Sequence, residues 1–300
     1  SERGRKELFD LATRYYQALR QPDLQAGSLV TVLTVGGLAK RMVELYWPLV
    51  AEQARFAHPD RAPTFLTLET AQYYMAHLVR PLLSKGLFEG VTLERNRLYS
   101  QIIDNLNKAA LVGFTHTEIG ERLKAAWVGD PGQAHIYEDA QHCANLFRGY
   151  CLENNLLDFS LQVEIFTNLL WQEPICKNHL YESYKHLIAD NLEEHVPISA
   201  DLLDEWLPVF DSGLVIFDTQ AGYRRFLGAD PSSTQKLQAH CDHQIHFDES
   251  FVISEPVAAL ETAMEYALIP VERRQEVPLA VIAGAPLAIE HPAPEETRYY

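Results

Sequence analysis

Near residue 184 the hydrophobic rhythm of the chain changes, and that change limits the folds open to it. Upstream, apolar residues recur at the spacing of one helix face. In ETAQYYMAHLVRPLL they are Ala71, Tyr74, Met75, Leu78, Val79 and Leu82; in LYSQIIDNLNKAAL they are Leu98, Ile102, Ile103, Leu106 and Ala110. YEDAQHCANLFRGYCLENN continues this texture into LLDFSLQVEIFTNLLW. Downstream, HLIAD and GLVIFD are short, wholly apolar runs, each ending on an aspartate. Between them lies SADLLDEWLPVF, a helical pattern with Ser199 as its expected cap. Short apolar runs separated by a helix predict parallel strands buried on both faces. Ligands of such sheets sit beyond the carboxyl ends of the strands, where Asp190 and Asp218 fall. The expected class is α/β, a parallel sheet accompanied by a large all-helical subdomain.

Other local signals fill in the plan. Thr115 and Glu118 have the spacing of a capping box ahead of IGERLKAAW. AHPDRAP and WVGDPGQ carry the Pro, Gly and Asp punctuation of loops. PLAVIAGA is one more candidate strand before a Pro- and Glu-rich end from Glu290. At 300 residues the chain has room for two packed units or one large α/β unit. Forty-one acidic against twenty-five basic side chains leave a net charge of -16, a field that repels a polyanion. That balance excludes a broad non-specific nucleic-acid surface and leaves room only for a local basic groove. Cys143, Cys151, Cys176 and Cys241 form no C-x-x-C pair and read as reduced, buried thiols of an intracellular protein. No apolar run approaches the roughly 18 residues that span a bilayer, and no signal peptide is visible. The expected location is cytoplasmic. The first residue is Ser1, which reads as a processed or trimmed start.

Four stretches invite a chemical reading. SLVTVLTVGGLAKRMVEL, from Ser28 to Leu45, reads as a strand (Leu29 to Thr34), a Gly36-Gly37 turn and an amphipathic helix opened by Lys40 and Arg41. A phosphate cradle needs G-x-x-x-x-G-K-[ST], so that successive backbone N–H groups wrap the phosphates and a hydroxyl holds magnesium. Here the glycines are adjacent and Arg41 follows Lys40, so the stretch is a strand-to-helix turn. HLIAD followed by NLEE has the form of a strand whose terminal carboxylate anchors magnesium, or of a plain helix cap. VGDPGQAHIY (Val128 to Tyr137) imitates a helicase nucleotide-sensing box, but it follows a helical pattern and reads as a loop. HCDHQIHFDE gathers His240, Cys241, Asp242, His243, His246 and Asp248, donors suited to zinc or iron. If it is a strand, His240, Asp242 and His246 share a face and His243 lies opposite, which favours a solvated strand edge. No G-x-S-x-G nucleophile motif is present.

Taken in order, these segments resemble the first half of a UvrD/Rep/PcrA-type superfamily 1 DNA helicase. TVLTVGGLAKRMVELYWPLV looks like the family's T-F-H-x-L-A motif, which touches single-stranded DNA, and NNLLDFSLQVEIFTNLL like the L-D-F-D-D-L segment closing its helical 1B subdomain. YKHLIADNLEEHVP is similar to Y-x-x-L-x-V-D-E-x-Q-D-x-x-P, and LVIFDTQAGYRRFLGADP to G-D-P-x-Q-x-I-Y-x-F-R-G-A-D-P. FDESFVISEPVAAL sits where the family writes L-x-x-N-Y-R-S. The likeness covers most of residues 28 to 262. It implies a RecA-like parallel sheet with a large helical insertion, divided as 1-45 and 181-250 for the RecA-like 1A domain. Residues 46-180 would then be the 1B-like subdomain and 251-300 the start of a 2A-like region. Asp190 and Asp218 would mark a vestigial Mg-ATP site, and Thr34 and Gly36 a contact to single-stranded DNA.

The departures from the family pattern fall on its catalytic positions. Asn191 stands where the family has its catalytic glutamate, and an amide cannot accept the attacking water's proton. Ala221 replaces the γ-phosphate-sensing glutamine, Leu227 the arginine of R-G-A, and Phe251 and Val252 the Tyr-Arg pair. Gly36 replaces the histidine of the DNA-touching motif. Losing the base or a charge-stabilising arginine typically costs about 10² to 10⁵ in rate. The resemblance thus implies a degenerate module, a non-catalytic subunit or scaffold with a protein partner in a DNA-processing complex. One alternative is an active ATP-dependent helicase whose phosphate loop lies upstream of Ser1, with Glu193 or Glu194 as base. Another is a metal-dependent nuclease or hydrolase using the His240–His246 cluster.

Overall fold

The computed structural model of the chain describes residues 30–128, 134–219, 221, 224–247 and 254–268. The chain divides into two compact units, Ser1–Cys241 and Asp242–Tyr300.

In the first unit the described chain enters as an irregular segment, 30–34, and turns into α1, Val35–Val50. The Thr34 hydroxyl accepts from the Gly37 N–H at 3.1 Å, a side-chain N-cap for one otherwise orphaned donor. The expected strand over Leu29 to Thr34 is absent among the described residues, and both glycines lie inside the first turn of the helix. Pro48 bends α1 at Tyr46 (φ -112°, ψ 20°), because its ring lacks an N–H and crowds the preceding turn.

The helices foreseen from periodicity follow: α2, Leu68–Leu83; α3, Arg95–Val112; and, after a 3₁₀ turn at His116–Glu118, α4, Ile119–Ala125. The stripe of α2 buries Ala71, Met75 and Val79 at four-residue intervals. α3 ends at Gly113, whose left-handed backbone (φ 92°) returns its N–H to the Ala109 carbonyl. The capping box is not formed. The Thr115 hydroxyl donates to the Glu118 carboxylate at 3.1 Å and caps no backbone N–H. Next come α5, His135–Glu153; α6, Phe159–Asn168; and α7, Pro174–Ser183. α6 is capped by Asp158, whose carboxylate accepts from the N–H groups of Ser160 and Leu161. Its most extensive packing is against α1.

Two small parallel sheets join the helices. β1, Thr64–Phe65, pairs with β2, Leu156–Leu157, in the register Thr64 to Leu156. Asn155 secures that junction: its amide donates to the carbonyls of His58 (2.6 Å) and Arg61 (3.1 Å), and its oxygen accepts from the His58 N–H. β3, His186–Ala189, pairs with β4, Ser212–Val215, from His186–Ser212 to Ala189–Val215. The crossover between them carries α8, Pro197–Trp206, which starts at Pro197 with Val196 as cap, so Ser199 lies inside the helix. A short α9, Pro231–Gln235, follows.

The expected parallel pair forms, but burial on both faces does not. Leu187, Ala189, Val215 and Phe217 face the core, whereas Ile188 (65% exposed), Leu214 and Ile216 face outward. The inner side of the pair packs on the apolar core, and the described side chains of the other side are exposed. Among the described residues the content is thus mostly helical with two two-stranded parallel sheets, compatible with an α/β class. A single apolar core runs from Leu38 in α1 to Leu237, shared by the helices and the β3–β4 region.

In the second unit the described regular element is α10, Glu255–Leu268, on which Val257, Leu260 and Met264 are exposed. The candidate strand in PLAVIAGA lies outside the described residues.

Candidate functional site

The carboxyl ends of β3 and β4 are adjacent because the strands are parallel and in register, and both flagged aspartates lie just beyond them. Asp190 follows β3 directly and is exposed; its carboxylate accepts from the Asn191 N–H at 3.0 Å. Asn191 adopts a left-handed backbone (φ 55°), which its short polar side chain tolerates better than a branched one would. That reversal sends the chain into a 3₁₀ turn, Leu192–Glu194, tied to the second strand where the Leu192 N–H donates to the Ile216 carbonyl at 3.0 Å. Asp218 is also exposed, and its N–H donates to the Glu193 carboxylate at 3.0 Å.

The two glutamates after Asn191 are both engaged. Glu193 is only 3% exposed and serves as acceptor for the Asp218 backbone. Glu194 pairs with Arg224 at 3.2 Å. His195 closes the turn, with Nε2 3.1 Å from the Asp190 carbonyl. Burial holds its pKa below the ordinary histidine value, although the Asp190 carbonyl and the carboxylates of Glu193, Asp190 and Glu194 pull the other way. The imidazole is therefore neutral at pH 7, and its buried Nδ1 has no hydrogen-bond partner.

Ala221 is half-buried, its N–H 3.4 Å from the Asp218 carbonyl. Leu227 ends a 3₁₀ turn, Arg224–Leu227, with 52% of its surface exposed. Neither side chain can donate a hydrogen bond to a phosphate. Phe251 and Val252 lie outside the described residues. Among the described residues Asp190 and Asp218 place two carboxylates near the strand ends, and Ala221 and Leu227 follow them with apolar side chains. This set does not fit a hydrolysable magnesium–nucleotide complex.

Thr34 and Gly36 have packing roles. Thr34 caps α1, and Gly36 is buried beneath the Phe159 ring of α6: a Cβ there would lie 2.4 Å from Phe159 Cε2. A histidine at 36 would have to displace that ring.

The histidine-rich segment is not a strand. His240 ends a 3₁₀ turn, Lys236–His240, and its Nε2 lies 2.8 Å from an Asp204 carboxylate oxygen on α8. Residues 243–247 are irregular and exposed, and Asp248 lies outside the described residues. Among the described residues no three His, Cys, Asp or Glu side chains are grouped to hold a metal. The cysteines are free thiols; burial, with help from nearby carboxylates, pushes Cys143 up to about 12 and Cys176 up to about 11, and raises Cys151 as well. None of these three is a thiolate nucleophile at neutral pH.

One group was missed by the sequence reading. Arg148, on the buried stripe of α5, is 4% exposed and sits between Asp158 (3.3 Å) and Glu164 (3.0 Å), with the Ser160 hydroxyl 3.0 Å away. His116 lies 3.5 Å from the far oxygen of Glu164. The signal was available: an arginine one residue after Phe147 and three before Cys151 falls on the apolar face. No helix among the described residues is long and apolar enough to cross a membrane. Compared with known proteins, the chain matches no family model, and no curated protein aligns with it significantly.

Proposed function

We propose that this chain is a degenerate helicase-like module: a RecA-like first motor domain of the UvrD/Rep/PcrA type, carrying a helical 1B-like subdomain and acting without ATP hydrolysis. The observation that carries the reading is the parallel β3–β4 pair with Asp190 and Asp218 beyond its carboxyl ends, the place where open α/β sheets hold their ligands. The loss of catalysis is supported by Asn191 in the base position and by the engagement of Glu193 and Glu194 elsewhere. A phosphate loop supplied from upstream would therefore find neither glutamate of this turn free to act as base. The role is that of a subunit or scaffold in a DNA-processing complex, bound to a protein partner; the charge of -16 favours such a partner over single-stranded DNA.

The test is ATP hydrolysis by the full native gene product with and without single-stranded DNA. Background turnover, unchanged by Asp190→Ala, is expected. DNA-stimulated hydrolysis abolished by Asp190→Ala would sink the non-catalytic reading in favour of the active helicase. Stoichiometric zinc, iron or manganese in protein purified without a histidine tag would instead favour the metal-dependent nuclease.

A further inference from the structure

The first unit holds a cleft of about 350 Å³ that is distinct from the strand ends. Its walls come from α3 (Lys108, Val112), from the turn into α4 (Phe114, Ile119) and from the Arg224–Leu227 turn (Arg225). Among the described residues no acidic side chain lines it, although acidic residues outnumber basic ones 41 to 25 in the chain.

The cations of the cleft are not equivalent. Arg122 stacks over the Phe114 ring at 4.1 Å and is neutralised by Glu118, which accepts from its Nε and a terminal nitrogen at 3.0 and 2.9 Å. Lys108 and Arg225 make no ion pair among the described residues, whereas the neighbouring Arg224 pairs with Glu194. Arg225 is presented here by the Gly228 turn: the Gly228 N–H donates to the Arg225 carbonyl at 3.0 Å, and Gly228 has a left-handed backbone (φ 96°).

Lys108 and Arg225, both exposed, thus rim a cleft whose walls include the apolar side chains of Val112, Phe114, Ile119 and Leu123. A wholly apolar ligand would draw nothing from the two exposed cations at the rim, and a bare inorganic anion would leave the apolar wall unfilled. We propose that this cleft binds a small organic phosphate monoester with an apolar or aromatic body, its phosphate between Lys108 and Arg225. The planar fork of Arg225 suits two phosphate oxygens and Lys108 supplies a point charge. The volume sits at the lower end of ligand pockets, which run from about 300 to 1,000 Å³, so the ligand is no larger than a mononucleotide. This inference does not depend on the helicase-like reading.

The experiment is calorimetric titration of the whole chain with 1-naphthyl phosphate, with 1-naphthol and inorganic phosphate as controls. Saturable one-to-one binding of the ester is expected, at least about tenfold tighter than either control. The Lys108→Gln, Arg225→Gln double variant should weaken it at least about tenfold, with Lys85→Gln unchanged and all variants melting with the wild type. Arg225→Lys, which keeps the charge and removes the fork, should fall between. Absence of ester binding, binding of naphthol or phosphate as tight as that of the ester, or an unaffected double variant would each overturn the proposal.

Discussion

At the scale of single residues, the most consequential group is Arg148. It carries a buried positive charge between the two carboxylates of Asp158 and Glu164, and its Nε has no partner. A buried pair is costly to assemble and costlier to break, because the surviving charge is left without water or a counterion. Arg148→Met should therefore destabilise the fold by about 3–5 kcal/mol, measured by urea denaturation. Glu164 predicts how stability follows pH. Burial raises its pKa, but the His116 hydrogen bond and the Arg148 charge outweigh that and hold it below the ordinary glutamate value. A carboxylate depressed in the folded state contributes stability above its unfolded pKa and loses it as pH falls through the folded one. Stability should thus decline on acidification below the ordinary glutamate range. Glu164→Gln should flatten that decline, as read from denaturation midpoints across pH.

At the scale of elements, α1 and its contact with α6 show how a local motif takes its meaning from packing. The Thr34 hydroxyl caps α1, whereas Thr115 bonds to a carboxylate and caps nothing. Thr34→Ala should cost about 1 kcal/mol, and Thr115→Ala less than about 0.5 kcal/mol; thermal melting separates them. Gly36 gives a sharper test. Alanine is intrinsically better than glycine in a helix by about 1 kcal/mol, yet a Cβ at 36 would press on Phe159. Gly36→Ala should destabilise the native chain by about 1–3 kcal/mol through overpacking. In a Phe159→Ala background the same change should become neutral or stabilising, a reversal that a double-mutant cycle reads directly.

At the scale of the whole molecule, one apolar core of described residues joins the helices to the β3–β4 region, and Ile188, Leu214 and Ile216 on the outer face of that pair are exposed. Ile188 and Leu214 are register partners on this face and are exposed, so they contribute little to the core. Ile188→Thr with Leu214→Thr should change stability by less than about 0.5 kcal/mol, threonine being suited to a strand. The same pair of changes should reduce self-association at high concentration, measured by sedimentation velocity, because exposed apolar patches drive contact.

The sequence by itself determined the helices and the strand pair. A 3.6-residue apolar period admits one amphipathic solution, and short apolar runs ending in aspartate, split by a helix, admit parallel pairing. It also located Asp190 and Asp218 at the strand ends, since chain order and strand direction decide that. It misread α1, because adjacent glycines read as a turn until Phe159 of α6 is seen lying over Gly36. It misplaced the caps at Thr115 and Ser199, because spacing alone cannot say whether a hydroxyl meets a backbone N–H or a neighbouring side chain. Only the tertiary structure decided that Glu193 serves the backbone beyond β4, that Arg148 is buried among carboxylates, and that Ile188 and Leu214 are exposed on one face of β3–β4. These are contacts between segments distant along the chain, and local periodicity carries no information about which distant surface a side chain will meet.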